Sequence, residues 1–317
     1  MALSGLENID LKLIIFGGKG GVGKTVSAIS TAFELSESHR TLLISTDPAH
    51  SISDCLEQEV GFQVHKVKGK ENLDAIEIDA NKALHNWKLE HHSVLQKLFN
   101  TSTYLDSQDI EEVLKLSIPG IDEIMSFKII MDLIEEGNYD KYVVDTAPTG
   151  HALRLISSPE MLDNWIKVSV SMRWKYRYMV TRFSGSYKQD EVGAFLLNLK
   201  KMVKRTDNIL RDKTKCEFIP VCIPEAMAIR ETRGLIDKLA TYDIFAKQLV
   251  VNNVMVSDDG QFCKRVKISQ APYLREIKDS FSALNSVEIP KFSQEIKGLA
   301  SLDKMRMFLF KDPLIKQ

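Results

Sequence analysis

The residues best equipped for chemistry are Gly18-Lys19-Gly20-Gly21-Val22-Gly23-Lys24-Thr25. They follow an apolar run, Leu13-Ile14-Ile15-Phe16, and lead into Val26–Phe33, which reads as a helix. From Gly18 the run fits G-x-x-x-x-G-K-[ST] between a strand and a helix, the pattern of a phosphate-binding loop. Glycines let backbone N–H groups turn inward around an anion, and the helix N-terminus adds its positive dipole end. In such a loop Lys24 reaches the β- and γ-phosphates of a nucleotide, and the Thr25 hydroxyl joins Mg²⁺. Four glycines with Lys-Thr in register make an ordinary tight turn a poor explanation.

Two further stretches carry carboxylates just past apolar runs. Asp47-Pro48-Ala49-His50-Ser51-Ile52-Ser53-Asp54 follows Thr41–Thr46. Two carboxylates and a histidine there suit Mg²⁺ and an attacking water. The spacing also fits a helix start, with Ser51 or Ser53 as cap and an aspartate in the first turn. Spacing alone leaves both readings open. Tyr142-Val143-Val144-Asp145-Thr146-Ala147-Pro148-Thr149-Gly150-His151 is an apolar strand ending in an acid, a Walker B pattern in which the carboxylate holds Mg²⁺ through water. Pro148 and Gly150 turn the following loop sharply, as a γ-phosphate-sensing segment requires.

The elements that must hold these residues alternate between strand and helix. Short apolar runs predict strands at Leu13–Phe16, Thr41–Thr46, Ala75–Ile78, Lys141–Val144, Glu217–Ile223, Gln248–Val256 and Val287–Ile289. That alternation predicts an α/β fold, a doubly wound and mostly parallel sheet flanked by helices. Residues 1–317 read as a single phosphate-loop domain with helical insertions at about 81–136 and 161–212. In such a sheet ligand loops lie at the carboxyl ends of strands, where the glycine loop, Asp47 and Asp145 all sit. Within the second insertion, Trp165, Val168, Met172, Tyr176, Met179 and Phe183 recur at helical spacing, as do Phe195, Leu199, Met202 and Ile209.

Composition excludes some classes of function. Forty-two basic against 43 acidic residues give no bulk field toward nucleic acid or membrane. Arg173-Trp174-Lys175-Tyr176-Arg177-Tyr178 interleaves charge with rings, a pattern that can clamp single-stranded nucleic acid. As a helix it only flanks an apolar stripe, so no nucleic-acid partner is expected. The four cysteines are scattered, no apolar run reaches eighteen residues, and no leader pattern opens the chain; a cytoplasmic protein is expected.

The ordered motifs bear a family resemblance. Lys19 inside the loop makes it similar to the deviant Walker A loop of one class of ATPases. Together with Asp47-Pro48-Ala49-His50, Asp145–His151, Pro119–Glu123, Val221–Glu225 and Val250–Asn253, it resembles the arsenite-pump and tail-anchored-protein-targeting ATPase family. The resemblance implies a homodimer with ATP and Mg²⁺ clamped between subunits. Lys19 would cross to the partner's nucleotide and neutralise charge developing in phosphoryl transfer. Asp54 would orient the hydrolytic water, and Asp47 and Asp145 would join Thr25 around Mg²⁺. Asn252 would bond adenine, with Pro290 to Phe292 closing over the base. The partners implied are transmembrane segments of tail-anchored proteins, with a membrane receptor or pump. Methionine-bearing helices at 161–212, and equally Leu84–Phe99 or Ile110–Ile134, would wall a client groove. Ordinary core packing fits the same periodicity.

Departures from the family pattern sharpen the reading. The targeting branch often carries a C-x-x-C that completes a zinc site across a dimer. Here the second position is Cys263 and the first is Gly260, so no structural zinc is expected. Arsenite binding wants three converging thiolates, and Cys55, Cys216, Cys222 and Cys263 show no such spacing. Driving an arsenite pump is therefore the second reading, behind capture of tail-anchored proteins. A third class, a membrane-surface positioning ATPase, draws on Leu299–Phe310, an amphipathic tail able to lie on a membrane or dock on the domain.

Overall fold

A computed structural model describes residues 2–47, 51–102, 121–147, 155–157, 159–171 and 191–311. The chain divides into two compact units. A sheet unit takes Met1–Ile78, Asp132–Leu153 and Leu210–Gln317, and a helical unit takes Asp79–Met131 and Arg154–Ile209.

In the sheet unit eight strands pair in the order β3-β4-β2-β5-β1-β6-β7-β8. They are β1 (Leu13–Gly17), β2 (Thr41–Ser45), β3 (His65–Lys66), β4 (Leu73–Glu77), β5 (Lys141–Asp145), β6 (Cys216–Cys222), β7 (Gln248–Val254) and β8 (Asn285–Pro290). All pairs are parallel except β3 with β4. β3 was not legible in sequence: its two residues are exposed and carry no apolar alternation. The central strands are buried from end to end because helices cover both faces, which is why they read as unbroken apolar runs. The bounds move by a residue or two: β4 starts at Leu73 and β7 stops at Val254 rather than Val256.

Helix α1 (Lys24–Leu35) and the short α2 (Ser51–Leu56) leave the ends of β1 and β2. At the far end of the chain a helix over Gly298–Phe310 buries Leu302, Met305 and Leu309. It is fastened to α1 by Ser30 Oγ donating to the Leu302 carbonyl at 3.1 Å and by Arg306 paired with Glu34 at 2.9 Å. Its apolar face is thus spent on the protein's own core, which is the docked alternative for the tail.

The helical unit contains α3 (Ala80–Glu90), whose first turn is capped by Asp79 accepting from the Lys82 amide at 2.9 Å, and α4 (His92–Ser102). α5 (Ile121–Glu136) and α6 (Glu191–Arg211) run out of it into the sheet unit. Its core gathers Leu95, Leu98, Ile166, Phe195 and Leu199, with Trp87 and Trp165 packed against it. The stripe read from sequence therefore divides: Trp165 packs on this core, while Val168 is 54% exposed. Met172, Tyr176, Met179 and Phe183, the basic–aromatic run Arg173–Tyr178 and Pro119–Gly120 lie outside the described residues. Among the described residues no helix is long and apolar enough to cross a membrane.

Candidate active site

The loop leaving β1 is shaped by glycine. Gly18, Gly21 and Gly23 hold φ of 152°, 78° and 95°, backbone that side chains rarely adopt. A Cβ on Gly18 would lie 2.3 Å from the Val221 carbonyl oxygen, and one on Gly23 would lie 2.2 Å from Asn252 Nδ2. Val22 between them is fully buried and anchors the loop, while Gly20 and Gly21 are exposed at its tip. No side chain caps the start of α1, so its first amides face the position an anion would take. Lys24, the first helical residue, is 6% exposed and donates from Nζ to the Lys19 carbonyl at 3.2 Å. Burial lowers its pKa, and the charges of Asp145 and Asp47 pull it back up. Such an ammonium awaits a negative ligand.

Beside the loop, β1 and β5 run in register with Phe16 opposite Asp145, so the second strand ends next to the first. Asp145 is completely buried, and desolvation pushes its pKa up to about 7 against hydrogen bonds from Thr25 and Ser51 and the charge of Lys24. Ser51 Oγ donates to Asp145 Oδ2 at 3.4 Å and lies 3.4 Å from Thr25 Oγ1. Asp145 Oδ1 is buried without a hydrogen-bond partner among the described residues. Asp47 leaves the end of β2, its amide donating to Ser45 Oγ at 3.1 Å. Two carboxylates and two hydroxyls form a hard, all-oxygen donor set, and the unpartnered buried Oδ1 has the desolvated lone pairs a cation would satisfy. These residues fit Mg²⁺. Ser51, read from sequence only as a helix cap, is the member of this cluster that the motifs did not single out. Pro48–His50 and Pro148–Leu153 lie outside the described residues.

The remaining predicted residues fall in three places. Asn252, on β7 and 4% exposed, donates from Nδ2 to the Val22 carbonyl at 2.9 Å, so it supports the glycine loop itself. Its Oδ1 is buried and lacks a hydrogen-bond partner among the described residues, an acceptor held at the loop's edge. Pro290 ends β8, and Phe292 packs edge-on against Phe308 with ring centres 5.6 Å apart. Asp54 stands exposed on α2, directly after Ser53. The structure thus gathers Lys24, Thr25, Asp47, Ser51 and Asp145 at neighbouring strand ends. Phe292 is tied instead to the C-terminal helix.

A family model described as anion-transporting ATPase matches residues 11–311. The chain belongs to that family. It is 35% identical to "ATPase ASNA1 homolog 1" of Paramecium tetraurelia, over 98% of this chain and 96% of that protein. It is 33% identical to "ATPase GET3" of Malassezia globosa, over 97% and 94%, and 30% identical to "ATPase get3" of Schizosaccharomyces japonicus, over 98% and 96%. The protein is an ATP-hydrolysing enzyme of this family.

Two further features of this ATPase bear on how it works. Lys19 Nζ lies 3.9 Å from Glu231 Oε1 on the helix Ala226–Thr241. All four cysteines are free thiols, Cys216 and Cys222 buried and Cys55 and Cys263 half-buried. Burial pushes Cys216 up to about 12 and Cys55 to about 11, and raises Cys222 as well. Among the described residues no three histidine, cysteine, aspartate or glutamate side chains gather as a metal-holding group.

Proposed function

We propose that this ATPase is a cytoplasmic homodimer that captures the transmembrane segments of tail-anchored proteins with ATP bound and releases them after hydrolysis. The observation that carries this reading is the span of the similarity. The relatives named GET3 and ASNA1 align over nearly the whole of both chains, so the helical unit is matched as well as the nucleotide motifs. A shared phosphate loop alone would argue only for ATP hydrolysis.

In this reading the loop amides and Lys24 bind the phosphates, and Asn252 presents its free acceptor to the base. Thr25, Asp47 and Asp145 would hold Mg²⁺, which would supply positive charge to neutralise the phosphates. Asp54 accepts a hydrogen bond from the attacking water and aims it along the in-line path. Lys19 exchanges Glu231 for the partner's nucleotide when two protomers close, adding positive charge where negative charge develops. With γ-phosphate present both acidic loops are held; after hydrolysis they relax and the clamp opens. No zinc joins the protomers in this scheme, because Gly260 stands where a second thiol would be needed.

The client would be held by helical units of both protomers. Ile124, Phe127, Leu162 and Met202 line a small cleft of about 10 Å³ in one such unit. That space is about that of one water molecule, whereas a membrane-spanning helix is about 30 Å long and 10 Å across. A groove of that size needs the apolar side chains left in solvent, Leu89, Val168 and Leu197 among them. The deciding experiment is retention of a purified tail-anchor helix with ATP, with ADP and without nucleotide. Capture that depends on ATP and weakens in Val168→Asp and Leu197→Asp supports this function. Capture in no nucleotide state overturns it and leaves an ATPase whose client is something else. The high thiol pKa values and their dispersion weigh against a metalloid-driven pump as that alternative.

A further inference from the structure

Glu77 closes β4 with its side chain almost completely buried, at 2% exposure. Its two carboxylate oxygens are both aimed at one residue. Oε1 accepts from the Ser53 amide at 2.9 Å, and Oε2 accepts from the Ser53 hydroxyl at 3.0 Å. Ser53 Oγ in turn accepts from the Val60 amide at 3.1 Å, and the Glu77 amide donates to the Gly61 carbonyl at 2.9 Å. The whole excursion from α2 to Gly61 is therefore fastened to a single strand end. Glu77 pairs in register with Ser45 of β2, the residue whose hydroxyl receives the Asp47 amide. One rung of the sheet, Ser45 beside Glu77, thus pins both arms of the Asp47–Asp54 segment.

A six-residue helix has too few internal hydrogen bonds to fix its own orientation. Asp54 follows Ser53 directly, so the direction of its carboxylate is inherited from where Ser53 is held. We infer that Glu77 is a positioning residue for hydrolysis: its buried carboxylate fixes Ser53 and thereby the line along which Asp54 presents water. Glu77 touches neither nucleotide nor water in this scheme. The inference rests on the reading of Asp54 as the water-orienting residue.

The experiment compares Glu77→Gln, Ser53→Ala, Ser53→Thr, Asp54→Asn and the double variant Glu77→Gln/Asp54→Asn. The amide of Glu77→Gln keeps the shape but cannot accept from both donors of Ser53. Its kcat is expected to fall about 10- to 100-fold, the cost of a small misplacement, with KM and the Kd for a fluorescent ATP analogue within about twofold of wild type. Ser53→Ala shows the same split, and Ser53→Thr, which keeps both donors, recovers most of the loss. The double variant turns over no more slowly than Asp54→Asn. A Glu77→Gln enzyme with normal kcat beside an inactive Asp54→Asn overturns the positioning role. So does a double variant whose losses multiply, or a Glu77→Gln and Ser53→Ala pair in which nucleotide affinity and melting temperature fall together with turnover. Asp54→Asn that hydrolyses normally would sink the Asp54 reading itself, and this inference with it.

Discussion

The sheet unit and the helical unit differ in what they do with charge. The sheet unit buries polar and charged groups at strand ends: Lys24, Glu77, Asp145 and Asn252 are all at most 6% exposed. Lys24, Glu77 and Asp145 sit on or beside parallel strands in fixed register, and Asn252 sits where the register of β7 shifts between Val251 and Val254. Among the described residues the helical unit buries no charged side chain; it leaves Leu89 at 62%, Val168 at 54% and Leu197 at 47% exposure, and the sheet unit exposes apolar groups as well, Phe262 and Ile268 among them. Desolvated polar groups without full partners and apolar groups without cover are both costly. The first cost marks a site awaiting a charged ligand. The second, in the proposed function, is where the helical unit meets an apolar client. In the proposed function, nucleotide chemistry and client contact fall to separate units.

The sharpest way to break that division is at Lys19, whose proposed role lies in the sheet unit alone. Lys19→Ala is expected to lower ATP turnover by about 10³-fold, the scale of a lost trans cation, while nucleotide affinity in the isolated protomer stays nearly unchanged. Steady-state hydrolysis beside equilibrium binding reads both, and unaltered turnover would remove the trans role. Next in size is the core that holds the site. Leu302→Ala empties a fully buried position between the C-terminal helix and α1, and is expected to cost about 2–5 kcal/mol in urea unfolding. A loss well under 1 kcal/mol would mean that this helix is not part of the frame behind the phosphate loop.

How much of this was legible in sequence follows the same division. Glycines at Gly18 and Gly23 are dictated by backbone that a Cβ would collide with, so the loop announces itself in residue type. Asp145 is conspicuous because an acid ends an otherwise apolar strand. The doubly wound sheet followed from unbroken apolar runs, since burial on both faces permits little else. Ser51 and Glu77 were not singled out. A serine in a helix's first turn has an ordinary capping explanation, and Glu77 sits in a strand-like run with no motif around it. Their roles come from register, which brings residues 45, 53 and 77 together only after the sheet forms. The helical unit was least legible, because a periodic apolar stripe describes a core and a client surface equally well. Trp165 proved to be the former, and Val168 is exposed three residues later.

A smaller effect tests the claim that buried charge in the sheet unit is held for a ligand. Burial raises Asp145 from the ordinary 3.8 to about 7 in the folded protein. Between those values the folded state binds more protons than the unfolded state, so this group makes the nucleotide-free protein lose stability as pH rises from about 4 to about 7. Melting temperatures without nucleotide at pH 5 and pH 8 should differ more in wild type than in Asp145→Asn, which cannot titrate. Glu217 is also raised by burial and contributes a slope of the same sign, but it is common to both proteins and drops out of the comparison. Equal slopes in the two proteins would show that Asp145 is already charged and satisfied when folded.

The smallest expected change belongs to the helical unit's surface. If Val168 and Leu197 are exposed to meet a client, folding has gained little from them. Val168→Ser and Leu197→Ser should each shift urea unfolding by less than about 0.5 kcal/mol. Retention of a tail-anchor helix should fall at the same time. A loss above 1 kcal/mol in either variant would mean that the side chain supports the unit's own core. The contrast between a polar site and an uncovered apolar surface would then narrow to whichever of Leu89, Val168 and Leu197 can still be made polar without loss of stability.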